Sequence, residues 1–170
     1  MTELSLKQFV SSEACLKCKG CCRYKEESSV WRPKLGAVDQ EALADLITAG
    51  DFLDAQAYIK TIQVHGEHIC RFLDASNNKC GIYINRPLEC VLYPFILSQT
   101  SDAVKVYAHL SCPYVQDHMS GTEFETYVAY LKELFSRKDI REILSVNKDM
   151  FHDYTSFAPE LLHLFDLAPL

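Results

Sequence analysis

The sequence predicts an α+β fold: a small cysteine-cluster core with short β-hairpins, packed by α-helices, and a mostly helical C-terminal third. Three observations predict it. Val104, Val106, Ala108 and Leu110 alternate with Lys105, Tyr107 and His109, the period-two signature of a half-buried strand. Phe124, Tyr127, Val128, Leu131, Leu134 and Phe135 recur at helical spacing on one stripe. Eight cysteines occur in 170 residues, four of them inside Cys15-x2-Cys18-x2-Cys21-Cys22. That length suits one domain, residues 1–170, with its cluster core over about 15–115 and its helical part over about 121–167.

Taken in order, residues 1–14 form a lead-in that Leu4, Leu6, Phe9 and Val10 dock to the body, and the cysteine loop 15–22 follows. A polar stretch from Lys25 to Ser29 ends at Val30-Trp31. Asp39 is the expected N-cap of a helix through Ala49, with Leu43, Leu46 and Ile47 on one face and Gly50 as its stop. Asp51 starts a second helical piece over about 52–58. Tyr58 to Val64 and His68 to Leu73 read as strands around His65-Gly66-Glu67, after which the polar loop from Asp74 to Lys79 delivers Cys80. Arg86-Pro87 lets a helix begin at Pro87 and carry Cys90. Phe95 to Ser98 and Val104 to Leu110 form a hairpin around Gln99-Thr100-Ser101-Asp102, ending at Ser111-Cys112-Pro113. Thr122 with Glu125 is the expected capping box of the striped helix; Ile140, Ile143 and Leu144 mark another, and Pro159 to Leu167 the last.

Cysteine serves as a buried small hydrophobe, a disulfide half or a thiolate ligand. Core cysteines scatter, whereas these cluster, and Cys70, Cys80 and Cys90 follow at nine-residue gaps before Cys112. A domain of this size needs no disulfides, and Met1-Thr2-Glu3-Leu4 lacks the features of a secretory signal. Metal ligation explains the pattern better: two residues between cysteines make a tight loop whose thiolates converge while its amides donate to sulfur. Four thiolates around a divalent ion leave a net negative charge that needs cationic neighbours. Lys17, Lys19, Arg23 and Lys25 lace the first cluster, and Arg71, Lys79 and Arg86 adjoin the later cysteines, in a chain whose net charge is −6. That acidity argues against nucleic-acid and anionic-membrane partners, and no apolar run is long enough to span a bilayer. The expected setting is the cytoplasm, with room for a protein partner.

The run Cys15-x2-Cys18-x2-Cys21-Cys22, Cys70-Arg-Phe-Leu, Cys80-Gly-Ile-Tyr-Ile-Asn-Arg-Pro-Leu-Glu-Cys90-Val-Leu-Tyr-Pro-Phe95 and Cys112-Pro resembles the YkgJ-type cysteine-cluster proteins, described as zinc- or iron-chelating domains. The resemblance covers about residues 15–115 and implies metal or iron–sulfur binding. A similar cluster occurs in flagellin lysine methylases, where it implies [4Fe–4S]-dependent methyl transfer. Those enzymes are much longer, so the activity is not carried over. Family proteins usually have a basic residue where this chain has Val91.

The cofactor is expected to be an iron–sulfur cluster, [4Fe–4S], or Zn²⁺. The tight triplet favours the cluster, with Cys15, Cys18 and Cys21 as three ligands and Cys112 as a fourth; four-cysteine zinc tolerates irregular spacing and stays a rival. Adjacent side chains diverge, so Cys22 serves the same centre, a second one or none. The candidate metal ligands are therefore Cys15, Cys18, Cys21, Cys22, Cys70, Cys80, Cys90 and Cys112. His68, two residues before Cys70, is a weaker candidate, and the other histidines lack metal spacing.

Three functions compete: a metal- or cluster-binding protein with a structural, electron-transfer or metal-delivery role, a cluster-dependent enzyme, and an interaction module docking through the stripe from Phe124 to Phe135. Catalytic motifs for nucleotides, hydrolysis or zinc proteolysis are absent from the sequence. Tyr83, Arg86, Glu89 and Tyr93 are the polar residues nearest the cysteines, and Arg86 is expected to balance thiolate charge with Glu89 as its partner.

Overall fold

The computed structural model describes residues 6–18, 20–100 and 103–170. Leu4, Lys19 and the turn residues Ser101 and Asp102 lie outside the described residues. The chain divides into two compact units, one of Ser11–Val91 and one of residues 6–10 with Leu92–Leu170.

In the Ser11–Val91 unit, α1 (Ser12–Lys17) is capped by the Ser11 hydroxyl, which accepts the Ala14 amide at 3.2 Å. It absorbs Cys15, so the first half of the cysteine run is a helix rather than the expected loop. After β1 (Arg23–Tyr24), the single helix expected from Asp39 to Ala49 is two, α2 (Ala37–Ala42) and α3 (Ala44–Ala49). They part at Leu43, whose backbone leaves the helical region at φ −106° and ψ 13° and whose side chain is buried in the core. Asp39 is not the N-cap. Gly36 holds that position in extended conformation, and Asp39, one turn in, accepts the Gly36 amide at 3.3 Å and the Leu88 amide at 3.0 Å.

Residues 52–58 are not helical. The Asp54 carboxylate accepts the amides of Gln56 and Tyr58 at 2.9 and 3.0 Å, an Asx turn that outcompetes the helix, and Leu53 and Lys34 bridge to Ile59 and Tyr58. The predicted hairpin forms as β2 (Thr61–Val64) and β3 (Glu67–Cys70), joined by His65 and Gly66 at φ 52° and 84°. Two successive positive φ values are what a two-residue type I′ turn demands, and a glycine takes the second at no steric cost. β3 lies between β1 and β2. A smaller ladder pairs β4 (Leu73–Asp74) with β5 (Lys79–Cys80), its loop closed by Asp74, which accepts from Ser76 and Asn77. A 3-10 turn at Tyr83–Asn85 leads to α4 (Leu88–Leu92), which carries Cys90 as the Arg86-Pro87 pair predicts. Leu35, Leu43, Phe52, Ile59, Ile69, Leu73 and Ile82 form this unit's core together with Cys70.

In the other unit, β6 (Phe95–Gln99) and β7 (Val104–His109) form the expected hairpin, reached through a cis Tyr93–Pro94 bond. α5 (Pro113–His118) follows, with Pro113 in its first turn, and then α6 (Thr122–Ser136) and α7 (Lys138–Val146). The N-cap of α6 is Gly121, so Thr122 is already helical and the expected capping box does not form. Its stripe packs on the sheet: Phe95 stacks on Tyr127 with ring centroids 4.9 Å apart, and Phe9 meets Phe95 edge-on at 5.5 Å. Phe9 thus docks the lead-in as expected. The last element is a strand, β8 (Leu161–Asp166), not a helix. It pairs antiparallel with the free edge of β7, with a register shift at Val106/Tyr107. A short apolar run such as Leu161-Leu-His-Leu-Phe suits either state, and an unpaired edge supplies backbone partners that an isolated six-residue helix lacks. No helix among the described residues is long and apolar enough to cross a membrane.

Candidate metal centre

Seven of the eight cysteines belong to the Ser11–Val91 unit, and none of the eight is in a disulfide. Cys22, Cys70, Cys80 and Cys90 arrive on four different segments, and backbone pairing explains how they meet. The Cys70 amide donates to the Cys22 carbonyl at 2.9 Å, while Cys80 stands opposite Leu73 in the β4–β5 ladder, three residues from Cys70. Cys22 and Cys80 pack on the same apolar cluster that contains Cys70. Every pair within this quartet lies in electrostatic reach: Cys70 of Cys22 and Cys80, Cys80 of Cys22, and Cys90 of all three.

Burial opposes ionisation of all four and prevails in three. It pushes the Cys70 thiol up to about 12 and raises Cys80 and Cys90 as well, and in each case neighbouring sulfurs push the same way. Local donors work against this. The Phe72 and Leu73 amides donate to the Cys70 sulfur and the Ile82 amide to that of Cys80, as thiolate sites require. Cys22 goes the other way, to about 7, because Cys21 donates its S–H to it and because Arg23 and Arg86 lend positive charge.

The flanking cations sort themselves by geometry. Arg23 bonds Asn78 at 2.8 Å, and Arg86 lies over the Tyr83 ring at 3.9 Å while bonding its carbonyl. Arg71 and Lys79 act instead on the carboxylates of Asp51 and Asp74, and Lys17 pairs with Glu13 at 2.5 Å. Glu89 is not Arg86's partner. It accepts the Lys34 amide at 2.7 Å, and burial raises its carboxyl to about 8, so it adds little negative charge beside Cys90 at neutral pH.

The remaining cysteines separate. Cys21 is exposed, in the turn before β1, and lies in electrostatic reach of Cys22, Cys90 and Cys15. Its hydrogen bond to Cys22 overturns the expectation that adjacent side chains diverge here, and donating that bond holds its own thiol well above the ordinary range. Cys15 is in α1, and Cys18 is its C-cap, the Cys18 amide bonded to the Ala14 and Cys15 carbonyls. The triplet therefore spans a helix and its exit instead of one tight loop. Cys112 belongs to the other unit, buried at the N-cap of α5, with its amide on the His109 carbonyl. His68 pairs with Gln63 and Tyr24 across the sheet, and Tyr93 bonds His109 at 3.2 Å.

Among the described residues, no three His, Cys, Asp or Glu side chains already stand in ligating geometry. The sulfurs are gathered, not closed on one point. The chemistry of the donor set nevertheless fits a soft or borderline cation: several half-buried or buried thiols, amide donors on two, guanidinium charge on a third, and mutual repulsion between thiolates that only added positive charge relieves.

The chain matches, over residues 14–113, the CxxCxxCC family, described as "Putative zinc- or iron-chelating domain". It belongs to that family. The matched span of this CxxCxxCC chain takes in all eight cysteines and so includes Cys112. No curated protein and no solved structure matches it. The nine-residue gaps on either side of Cys80 place Cys70, Cys80 and Cys90 on three different short elements, β3, β5 and α4.

Proposed function

We propose that the Ser11–Val91 unit is a tetrathiolate centre for one zinc or iron ion, with Cys22, Cys70, Cys80 and Cys90 as its ligands. The observation that carries this reading is that these four sulfurs, from four segments, form a set in which each lies in reach of every other. The backbone bond from Cys70 to Cys22 and the β4–β5 pairing hold three of them in place. The amides of Phe72, Leu73 and Ile82 share the charge of two sulfurs, and Arg23 and Arg86 offset that of Cys22. When bound, the ion supplies a cross-link between these segments, worth about 10–16 kcal/mol apparent for a structural zinc site and comparable with the whole stability of a domain.

A [4Fe–4S] cluster is the second reading, favoured by two further thiols, Cys21 in reach of Cys22 and Cys90, and Cys15 in reach of Cys21. The interaction-module reading loses its surface, because Phe124, Tyr127, Leu131, Leu134 and Phe135 are buried. The enzyme reading gains nothing from Tyr83, Arg86 and Glu89, each of which is engaged in supporting contacts.

Metal and acid-labile sulfide analysis of protein purified without oxygen tests the proposal. One zinc or iron per chain without sulfide is expected, and Cys70→Ser and Cys90→Ser should both lose it. Iron with matching sulfide establishes the cluster instead; full metal content in both variants refutes the ligand set.

A further inference from the structure

We propose that the outer edge of β8 is a pairing site for a second copy of this chain, whose own β8 docks antiparallel about a two-fold axis. The site lies in the unit of residues 6–10 with Leu92–Leu170, whose sheet has the strand order β6-β7-β8 and therefore two edges. The β6 edge is closed. The Gln99 amide donates to the His152 carbonyl at 3.1 Å, Ser98 bridges to His152, and the Ser98 hydroxyl accepts the Tyr154 amide at 3.0 Å. The other edge is β8, and two bonds fix which of its backbone groups turn outward. The Leu110 amide donates to the Glu160 carbonyl at one end and the Leu167 amide to the Val104 carbonyl at the other, both at 2.8 Å. Antiparallel partners alternate between bonded and non-bonded pairs, so Leu162 and Phe165 bond to β7 opposite Ala108 and Val106. Leu161, His163 and Asp166 then point their N–H and C=O groups away from β7. Among the described residues, none hydrogen-bonds that outward row.

A row of outward amides and carbonyls is matched by another extended backbone. β8 holds neither lysine nor proline, the residues that blunt exposed edges, and Leu161, Leu162, Leu164 and Phe165 are apolar. A second β8 fits this edge by its chemistry. His163 and Asp166 are both exposed and lie side by side, with Nε2 2.8 Å from Oδ1. An antiparallel copy that sets its Asp166 opposite His163 also sets its His163 opposite Asp166, because the two-fold repeats each pair. Both residues belong to the outward row, so each pair exchanges its two N–H···O=C bonds. Leu164 then lies opposite Phe165 of the second copy, an apolar pair at the centre. The chain carries a net charge of −6, yet Asp166 is the one carboxylate in β8, and in this register it meets imidazole on both sides. No two carboxylates are opposed, and two three-stranded sheets become one of six.

Sedimentation equilibrium of the full chain tests this, with a thiol reductant present to exclude intermolecular disulfides. At about 100 μM, enough to populate a dimer of micromolar Kd, wild type should sediment as a dimer. His163→Asp sets carboxylate against carboxylate in both pairs and should raise the dimer Kd about tenfold or more. The double variant His163→Asp/Asp166→His exchanges the two roles and should restore it. His163→Pro removes one outward N–H without touching the β7 ladder and should leave a monomer. Both positions are exposed, so each variant should keep the wild-type far-ultraviolet circular dichroism; if the proline variant unfolds, the charge exchange decides alone. A monomeric wild type overturns the proposal. An unchanged Kd in His163→Asp places the interface elsewhere and overturns it too, as does a double variant no tighter than His163→Asp, which excludes the reciprocal register.

Discussion

Loading the centre should release a definite number of protons. In the metal-free protein at pH 7, Cys70 lies near 12, and Cys80 and Cys90 are raised above the ordinary thiol value, so all three carry a proton. Cys22, near 7, is about half ionised. Ligation needs four thiolates, so each ion bound at pH 7 should expel about three and a half protons. The sign follows: the metal-free form holds more protons, so apparent affinity rises with pH and falls on acidification. Between about pH 7 and pH 6, where Cys22 also becomes protonated, affinity should drop by nearly four orders of magnitude, or about 5 kcal/mol. The assay is titration of metal-free protein with zinc chloride in weakly buffered solution, counting protons with an indicator dye and affinity with a competing chelator. A release below about two protons per ion would show that the ligands are not these four thiols.

Two further outcomes concern the other unit. Phe95 is 2% exposed and in ring contact with Phe9, Phe124 and Tyr127, so Phe95→Ala should cost about 3–5 kcal/mol in denaturant unfolding followed by far-ultraviolet circular dichroism. A loss below about 1 kcal/mol would contradict that core. His109 is buried and held below its ordinary value because burial outweighs the Glu160 carboxylate, 3.6 Å from its Nε2, with Tyr93 on its Nδ1 side. Its folded value is depressed, so its contribution to stability is complete above about pH 6.5 and is lost as pH falls below it. His109→Asn should therefore flatten the decline in unfolding midpoint between about pH 7.5 and pH 5.5; an unchanged slope would assign that decline elsewhere.

What the sequence by itself determined was donor type, number and the strongly periodic elements. Soft sulfur donors at eight positions restrict the bound group whatever the fold, and strict alternation in Val104–His109 and a fifteen-residue apolar stripe in Thr122–Ser136 leave one compatible backbone state each. Tertiary structure alone decided which sulfurs meet. The β1–β3 pairing brings the segment after Cys22 against the one before Cys70 from distant parts of the chain, while the local β4–β5 ladder sets Cys80 opposite Leu73. It also decided that Asp39 reaches back to Gly36 and across to Leu88, that Asp54 closes a turn, and that Leu161–Asp166 is a strand. In each case a short segment with weak intrinsic preference took the state in which a distant partner satisfied its backbone or its charge.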